Sequence, residues 1–203
     1  MPRAELAIEP VDASARLLGC TLEATTPEGI VAARIVEVEA YRGLDDPASH
    51  SYRGRTTRNR VMWGPAGHLY VYFVYGMHFC ANVVCLTDGV PGAVLLRAGE
   101  ITSGVELAQQ RRPAARNHHD LARGPARLAS ALGLAREHNG VDLTDPESAV
   151  RLYGSEPVAA EHIRSGPRVG VADAKDAPWR FWLDGSRAVS TYRRHEKRQR
   201  RRR

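Results

Sequence analysis

Two glutamates and a tyrosine lie at spacings of two in the segment RIVEVEAY, which covers residues 34–41. Apolar and polar residues alternate at its end, so the segment is predicted to be a β-strand in which residues two apart share a face. Glu37, Glu39 and Tyr41 are therefore expected to point the same way. Glutamate is disfavoured in strands. Two glutamates on one face of a strand indicate either a solvated edge of the sheet or a carboxylate held beside aromatic rings as a general base.

The spacing of these carboxylates favours water activation over paired acid–base catalysis. Glycosidic hydrolysis by two carboxylates requires one on each side of the scissile bond. Two side chains on one strand face do not straddle a bond in this way. A single carboxylate that activates water suits a substrate whose leaving group is already good, such as a damaged, cationic purine.

A tyrosine-rich segment, HLYVYFVYGMHFCAN, begins at residue 68 and places three of the chain's seven tyrosines within six residues. Alternation predicts a strand in which Tyr72 and Tyr75 point to opposite faces, then a turn at Gly76 and a returning strand. A ring at a hairpin tip must pack against the rest of the fold or stack on a partner such as nucleic-acid bases. The alternative is an ordinary core strand, because strands favour aromatic residues.

Positive charge is concentrated in two places. Residues 193–203 contain seven arginines and one lysine against one glutamate, which is +7 in a chain of net charge +6. This basic tail is predicted to be disordered, either attracting polyphosphate or serving as a solubilising terminus. A second cluster, Arg53, Arg55, Arg58 and Arg60, lies in a predicted loop whose amides and hydroxyls can also meet phosphates.

Lysine is nearly absent from the chain. Lys175 and Lys197 are the only two lysines, against 27 arginines, and Lys197 lies in the basic tail. Arginine does not form a Schiff base at working pH. A mechanism that depends on a lysine nucleophile therefore has almost no candidate residue.

The length and composition are typical of a soluble globular protein of one domain, or at most two small ones. The chain has 203 residues, of which 43% are hydrophobic and 26% charged, and no apolar stretch approaches the roughly 20 residues that span a bilayer. The first residues contain no hydrophobic signal core, so export is not expected. The three cysteines form no CxxC pair, which favours a reducing interior.

The elements that must position these residues are predicted from periodicity. Many strands are joined by short turns, which predicts an α+β fold with a mainly antiparallel sheet. The long loop of residues 42–67 is rich in Gly, Pro, Asp, Ser and Arg, and loops of that length usually have a function. Helices are predicted at residues 12–20, 104–112 and 125–134, and strands at 30–41, 68–86 (a hairpin), 92–98, 149–153, 168–172 and 179–183.

Five ordered segments together resemble one known family. They are RIVEVEAYRGLDDPASHSYRGRTTRNRVMW, GHLYVYFVYGMHFCANVV, AVLLRAGE, RGPARLASAL and GPRVGVADAKDAPWRFWL, and they extend from about residue 30 to residue 185. The chain is similar to the alkyladenine (3-methyladenine) DNA glycosylases, which are monofunctional base-excision enzymes. The resemblance implies a single compact domain with a curved antiparallel sheet, flanking helices and a protruding β-hairpin that enters the DNA minor groove.

The resemblance also implies roles for the residues around an extruded base. Glu39, in the EAY motif, would activate the attacking water, and Arg97 would lie near that water and the target phosphate. Tyr41 would stack on one face of the base. His50 and Tyr72 would close the other face and the edge.

Further positions follow from the same resemblance. Tyr75 would enter the minor groove and fill the gap that the extruded nucleotide leaves. Asn82 matches an asparagine that helps to exclude normal guanine. Arg58, Met77 and His78 match positions near the DNA interface.

These matches predict a DNA-3-methyladenine glycosylase that removes alkylated or deaminated purines (3-methyladenine, 7-methylguanine, hypoxanthine, ethenoadenine) by base flipping and hydrolysis, without lyase activity. Its predicted partners are damaged double-stranded DNA and water, with no cofactor, metal or membrane. We expect a monomer, intracellular and associated with DNA, whose glycosylase domain covers residues 1–192 and precedes the basic tail. The alternative is a non-catalytic damaged-DNA binder on the same fold.

Overall fold

An antiparallel sheet organises the protein in a computed structural model that describes residues 1–74 and 76–193. Within these residues the sheet has eight strands, and every named pair of strands is antiparallel. The strands are β1 (Thr21–Thr26), β2 (Gly29–Tyr41), β3 (Leu69–Val74), β4 (His78–Val84), β5 (Ala93–Ser103), β6 (Val150–Tyr153), β7 (Ile163–Gly166) and β8 (Arg180–Leu183).

Three short helices accompany the sheet in the described part of the chain. They are α1 (Pro10–Leu17), α2 (Val105–Arg111) and α3 (Pro125–Leu132), so the predicted α+β class is confirmed. Single 3-10 turns lie at Arg3–Glu5, Gly43–Asp45, Arg60–Trp63, His118–Asp120, Arg136–His138 and Ala160–His162. None of the helices among residues 1–74 and 76–193 is long and apolar enough to cross a membrane.

The central strand is β2, which carries both glutamates. The principal strand order is β3-β4-β5-β2-β1-β6, and β8 pairs with β2 and with β7. Strand β5 therefore lies along one edge of β2, while β1 and then β8 occupy the other edge. Glu37 and Glu39 of this strand are both fully buried. A solvated edge face is the wrong interpretation of this motif.

A double irregularity interrupts the β2–β5 ladder beside the glutamates. Glu37 lies opposite Ala98 and Val38 lies opposite Leu96, so Arg97 has no residue opposite it on β2. Extra residues of this kind bend a strand and redirect a side chain. Here the redirected side chain is that of Arg97, which contacts both Glu37 and Glu39.

The hydrophobic core divides into two clusters. The larger one includes side chains from the sheet together with Leu17 of α1 and Leu128 of α3. The smaller one lies where the long loop packs on the hairpin and contains Met62, Tyr70, Val84 and Ala93. The three cysteines are all buried and free.

The start of the first helix and one predicted strand differ from the sequence-based predictions. Helix α1 begins at Pro10, before the predicted start at residue 12, because proline is tolerated in a first helical turn. The predicted strand at residues 168–172 is wrong, since the chain there is a loop. Its N–H groups at Val169 and Gly170 donate to a glutamate side chain and to the carbonyl of Arg193 instead of to a neighbouring strand.

Candidate active site

A cavity of about 540 Å³ opens between the β3–β4 hairpin, the end of β2 and two loops. The long loop forms one wall through residues such as Pro47 and His50, and the segment 169–173 forms another. Eight of the sequence-predicted residues line this cavity together: Glu39, Tyr41, His50, Arg58, Tyr72, His78, Asn82 and Arg97.

The remaining two predicted residues are Met77 and Tyr75. Met77 is 68% exposed at the turn of the hairpin and lines an adjoining groove. Tyr75, the predicted intercalating residue, lies outside the described residues. The neighbouring Val74 does line the cavity, so the hairpin tip is adjacent to the cavity mouth.

Glu39 is a buried carboxylate whose two oxygens have different partners. Its Oε2 accepts a hydrogen bond from the Tyr41 hydroxyl at 2.9 Å. Its Oε1 accepts from the Val169 backbone N–H at 2.7 Å and lies 3.2 Å from Nη1 of Arg97. These contacts fix the orientation of the carboxylate at the cavity wall.

Glu37 does not line the cavity but lies behind it. Its Oε1 accepts from Nε of Arg97 at 2.9 Å and from Nε of Arg180 at 2.7 Å. The hydroxyl of Ser190 also donates to Oε1, and the backbone N–H of Ser190 donates to Oε2. Burial alone raises the pKa of Glu37, but the charges of Arg97 and Arg180 outweigh burial and lower the pKa below its usual value.

Three aromatic side chains meet where the hairpin and the long loop face each other across the cavity. The rings of Tyr70 and Tyr72 stack with centroids 5.6 Å apart, and His50 meets Tyr72 edge-on at 4.6 Å. Nδ1 of His50 lies 3.0 Å from the Tyr70 hydroxyl. Burial, helped by the charge of Arg58, lowers the pKa of His50 to about 4, so this imidazole is neutral at physiological pH.

The floor of the cavity contains Asn82. Its side-chain amide donates to the backbone carbonyl of Tyr70 on the neighbouring strand at 3.0 Å, so the amide plane is fixed. Tyr70 is nearly fully buried, and it also lines the cavity.

Comparison with known proteins identifies the family. The family model described as "Methylpurine-DNA glycosylase (MPG)" matches residues 4–187. The chain belongs to this family. It is therefore a DNA repair glycosylase, an enzyme that acts on damaged DNA.

Close relatives agree with the methylpurine-DNA glycosylase assignment. A Nocardia farcinica protein named "Putative 3-methyladenine DNA glycosylase" is 54% identical over 94% of this chain and 90% of its own length. A Streptomyces avermitilis protein of the same name is 53% identical over 94% of this chain and 91% of its own length. A third, from Mycobacterium tuberculosis, is 52% identical over 94% of this chain and 93% of its own.

The structure adds site residues of this glycosylase that the sequence analysis did not single out. Arg168 forms a buried, bidentate ion pair with Asp46, with N–O distances of 2.6 and 2.8 Å. Arg180 and Ser190 bind Glu37. The segment GPRVGVADAKDAPWRFWL was part of the family resemblance, but no local spacing signals which of its residues reach the active site.

The long loop that forms one wall of the glycosylase cavity is rich in exposed arginines. Arg58 lines the cavity and lies over the Tyr72 ring, 5.5 Å from its centroid. Arg53, Arg55 and Arg60 are exposed, and none of them forms an ion pair within the described residues. Unpaired arginines on such a loop are available for phosphate contacts.

Proposed function

We propose that this DNA repair glycosylase takes alkylated or deaminated purines out of duplex DNA and hydrolyses their N-glycosidic bond with a water molecule activated by Glu39. The observation that supports the proposal is the position of Glu39. It is a fully buried carboxylate at the wall of a cavity that is otherwise lined largely by aromatic and apolar side chains.

Glu39 has the geometry of a general base. Tyr41 and Val169 hold its oxygens, so the carboxylate needs little reorganisation when it accepts a proton from water. The water then attacks the anomeric carbon, the bond to the purine nitrogen breaks, and its electron pair leaves with the base. The negative charge of Glu39 would also stabilise the positive charge that develops on the sugar. Arg97, at 3.2 Å, would orient the carboxylate and reach toward the phosphate.

Selection of the base would depend on stacking. Tyr41, His50 and Tyr72 present rings around the cavity, and electron-poor alkylated purines stack favourably on electron-rich rings. His50 is neutral at physiological pH, so it adds no charge that would repel a cationic base. Asn82 would sense the base edge and disfavour normal guanine.

Base flipping would depend on the hairpin. Extrusion of a nucleotide costs a few kcal/mol and costs least for damaged pairs. An inserted side chain offsets part of the lost stacking. Val74 at the cavity mouth and the exposed Met77 are close to Tyr75 in sequence, and Tyr75 is the side chain that we propose to insert.

Water, rather than an amine, is the proposed nucleophile. Lys175 is exposed and is not among the residues that line the cavity, and Lys197 lies outside the described residues. A glycosylase that also cleaves the DNA backbone needs an amine to form a Schiff base. We therefore infer that the enzyme is monofunctional.

A single-turnover panel tests the proposed function. Duplexes with one hypoxanthine, ethenoadenine or 7-methylguanine are incubated with excess enzyme, and the released base and the intact abasic strand are quantified separately. Release of free base without strand cleavage, and without borohydride trapping of a protein–DNA adduct, is expected. Binding without base release would instead support a non-catalytic damaged-DNA binder, and a trapped adduct that Lys175→Arg abolishes would show lyase chemistry.

A further inference from the structure

A buried ion pair lies beneath the Tyr41 ring. Arg168 and Asp46 are both fully buried, and their fork-like contact has N–O distances of 2.6 and 2.8 Å. The guanidinium carbon of Arg168 is 4.7 Å from the Tyr41 ring centroid and 5.0 Å from that of Trp179. Arg168 also donates to the carbonyl of Ala40, the residue that precedes Tyr41.

This arrangement leaves one side of Tyr41 for the cavity. Arg168 covers one face of the ring, while the ring itself lines the cavity. A base in the cavity would therefore meet the face opposite Arg168. The Tyr41 ring would then lie between the base and the positive charge of Arg168. The carboxylate of Asp46 compensates that charge.

We propose that Asp46 is a specificity-determining residue, whose carboxylate neutralises Arg168 so that the stacking face of Tyr41 accepts a cationic base. The inference rests on the proposed function, because it requires a base to stack on Tyr41. Asp46 does not touch the base in this proposal and acts through Arg168.

The distances give the size of the effect. Stacked rings have centroids at least about 4.5 Å apart, so a base on the free face of Tyr41 would be centred about 9 Å from the guanidinium, given the 4.7 Å separation on the other face. At an effective dielectric constant of about 20, two unit charges at that distance change an affinity about 20-fold. Because water in the open cavity screens part of this repulsion, the expected effect is about 5- to 20-fold.

The experiment compares a cationic with a neutral lesion. Single-turnover excision of 7-methylguanine and of hypoxanthine is measured slightly below neutral pH, where the first base is cationic and the second neutral, and the ratio of the two rates is taken. Asp46→Asn is predicted to lower the ratio about 5- to 20-fold. The double variant Asp46→Asn with Arg168→Gln, which removes both charges, is predicted to restore the ratio to near the wild-type value.

The ratio separates specificity from a general loss of structure. Other charges near the base, those of Glu39, Arg97 and Arg58, are the same in every variant and cancel in the ratio. A merely structural role of Asp46 would lower both rates alike. Asp142→Asn is the matched control, since it breaks an Arg–Asp ion pair whose members do not line the cavity, and its ratio should equal that of the wild type.

The inference can be tested even if one of the variants does not fold. If Asp46→Asn does not fold, Arg168→Gln alone remains informative, because removing the positive charge must leave the ratio equal to or above that of the wild type. A ratio below wild type for Arg168→Gln, or an unchanged ratio for Asp46→Asn, would overturn the inference. If the wild-type enzyme releases neither base, the proposed function itself fails.

Discussion

Glu37→Gln removes the negative charge behind the active site while keeping the volume of the side chain. Glu37 is fully buried, and two nearly buried arginines, Arg97 and Arg180, depend on it. Loss of one partner from a buried ion pair costs about 3–5 kcal/mol because it leaves charge uncompensated. Glutamine keeps one acceptor oxygen, so we expect a loss at the lower limit, about 3 kcal/mol.

Thermal or urea unfolding measures this loss. In a domain of this size, 1 kcal/mol shifts Tm by about 2–4 °C, so Glu37→Gln should melt about 6–12 °C below the wild type. Glu100→Gln is the matched control on the neighbouring strand. Glu100 pairs with the half-exposed Arg34, and exposed pairs of this kind contribute less than about 1 kcal/mol.

The difference in stability should depend on pH with a defined sign. The folded-state pKa of Glu37 is lowered below 4.5, because the charges of Arg97 and Arg180 outweigh the effect of burial. The stabilisation is therefore fully present above the unfolded-state pKa and is lost as the pH falls through the lower folded-state pKa. The gap between wild type and Glu37→Gln should be constant near neutral pH and narrow below about pH 4.5.

Activity provides the second measurement on Glu37→Gln. Because Glu37 holds Nε of Arg97 at 2.9 Å, its loss should displace Arg97 and slow excision about tenfold or more. Glu100→Gln should leave the rate unchanged. A stability loss below about 1 kcal/mol, a gap that does not narrow in acid, or an excision rate equal to that of Glu100→Gln would refute this reasoning.

Three further predictions concern the DNA side of the cavity. Tyr75→Ala should lower the flipping of ethenoadenine, followed by its fluorescence, more than it lowers affinity for undamaged DNA, and equal losses would contradict the wedge role. Deletion of residues 194–203, which keeps the Arg193 carbonyl that binds Gly170, should make the dependence of log Kd on log salt concentration shallower. An unchanged slope would show that residues 194–203 do not contact DNA. Asn82→Ala should raise excision of normal guanine relative to hypoxanthine, and a constant ratio would argue against a gating role.

Local spacing predicted the parts of the site that lie within single strands. Glu39 and Tyr41, which the alternation predicted to point the same way, both line the cavity, as does Tyr72 of β3. Strand parity alone is sufficient there, because side chains two apart share a face. The convergence of His50 and Arg97 with them came from the family resemblance, since no local pattern brings a loop and a distant strand together.

Contacts between distant segments were beyond local patterns. Arg168 and Asp46 are 122 positions apart in sequence, and the irregular register that leaves Arg97 without a residue opposite it depends on how β2 and β5 pair. The same reason explains the wrong strand at residues 168–172. Its alternation is typical of a strand, but the adjacent edge of β2 is already paired with β8, and the Val169 N–H binds Glu39 instead.

Whether Glu37 and Glu39 lie on a solvated edge or are buried, with one acting as a general base, also depends on strand pairing. The motif RIVEVEAY is compatible with both, because alternation does not show which strands flank it. In the structure β5 and β8 pair with the two edges of β2 at this point, and both glutamates are fully buried. Arg97 and Arg180, which come from those same two strands, provide the compensating charge.

The role of Glu39 is tested most directly by Glu39→Gln in single-turnover excision of hypoxanthine, with binding to the same duplex measured in parallel. Loss of a general base should slow base release by about 10²–10⁴-fold, while DNA affinity stays within a few-fold of wild type because glutamine keeps the size of the Glu39 side chain at the cavity wall. Glu100→Gln should behave as the wild type. Undiminished base release by Glu39→Gln would contradict the proposed mechanism.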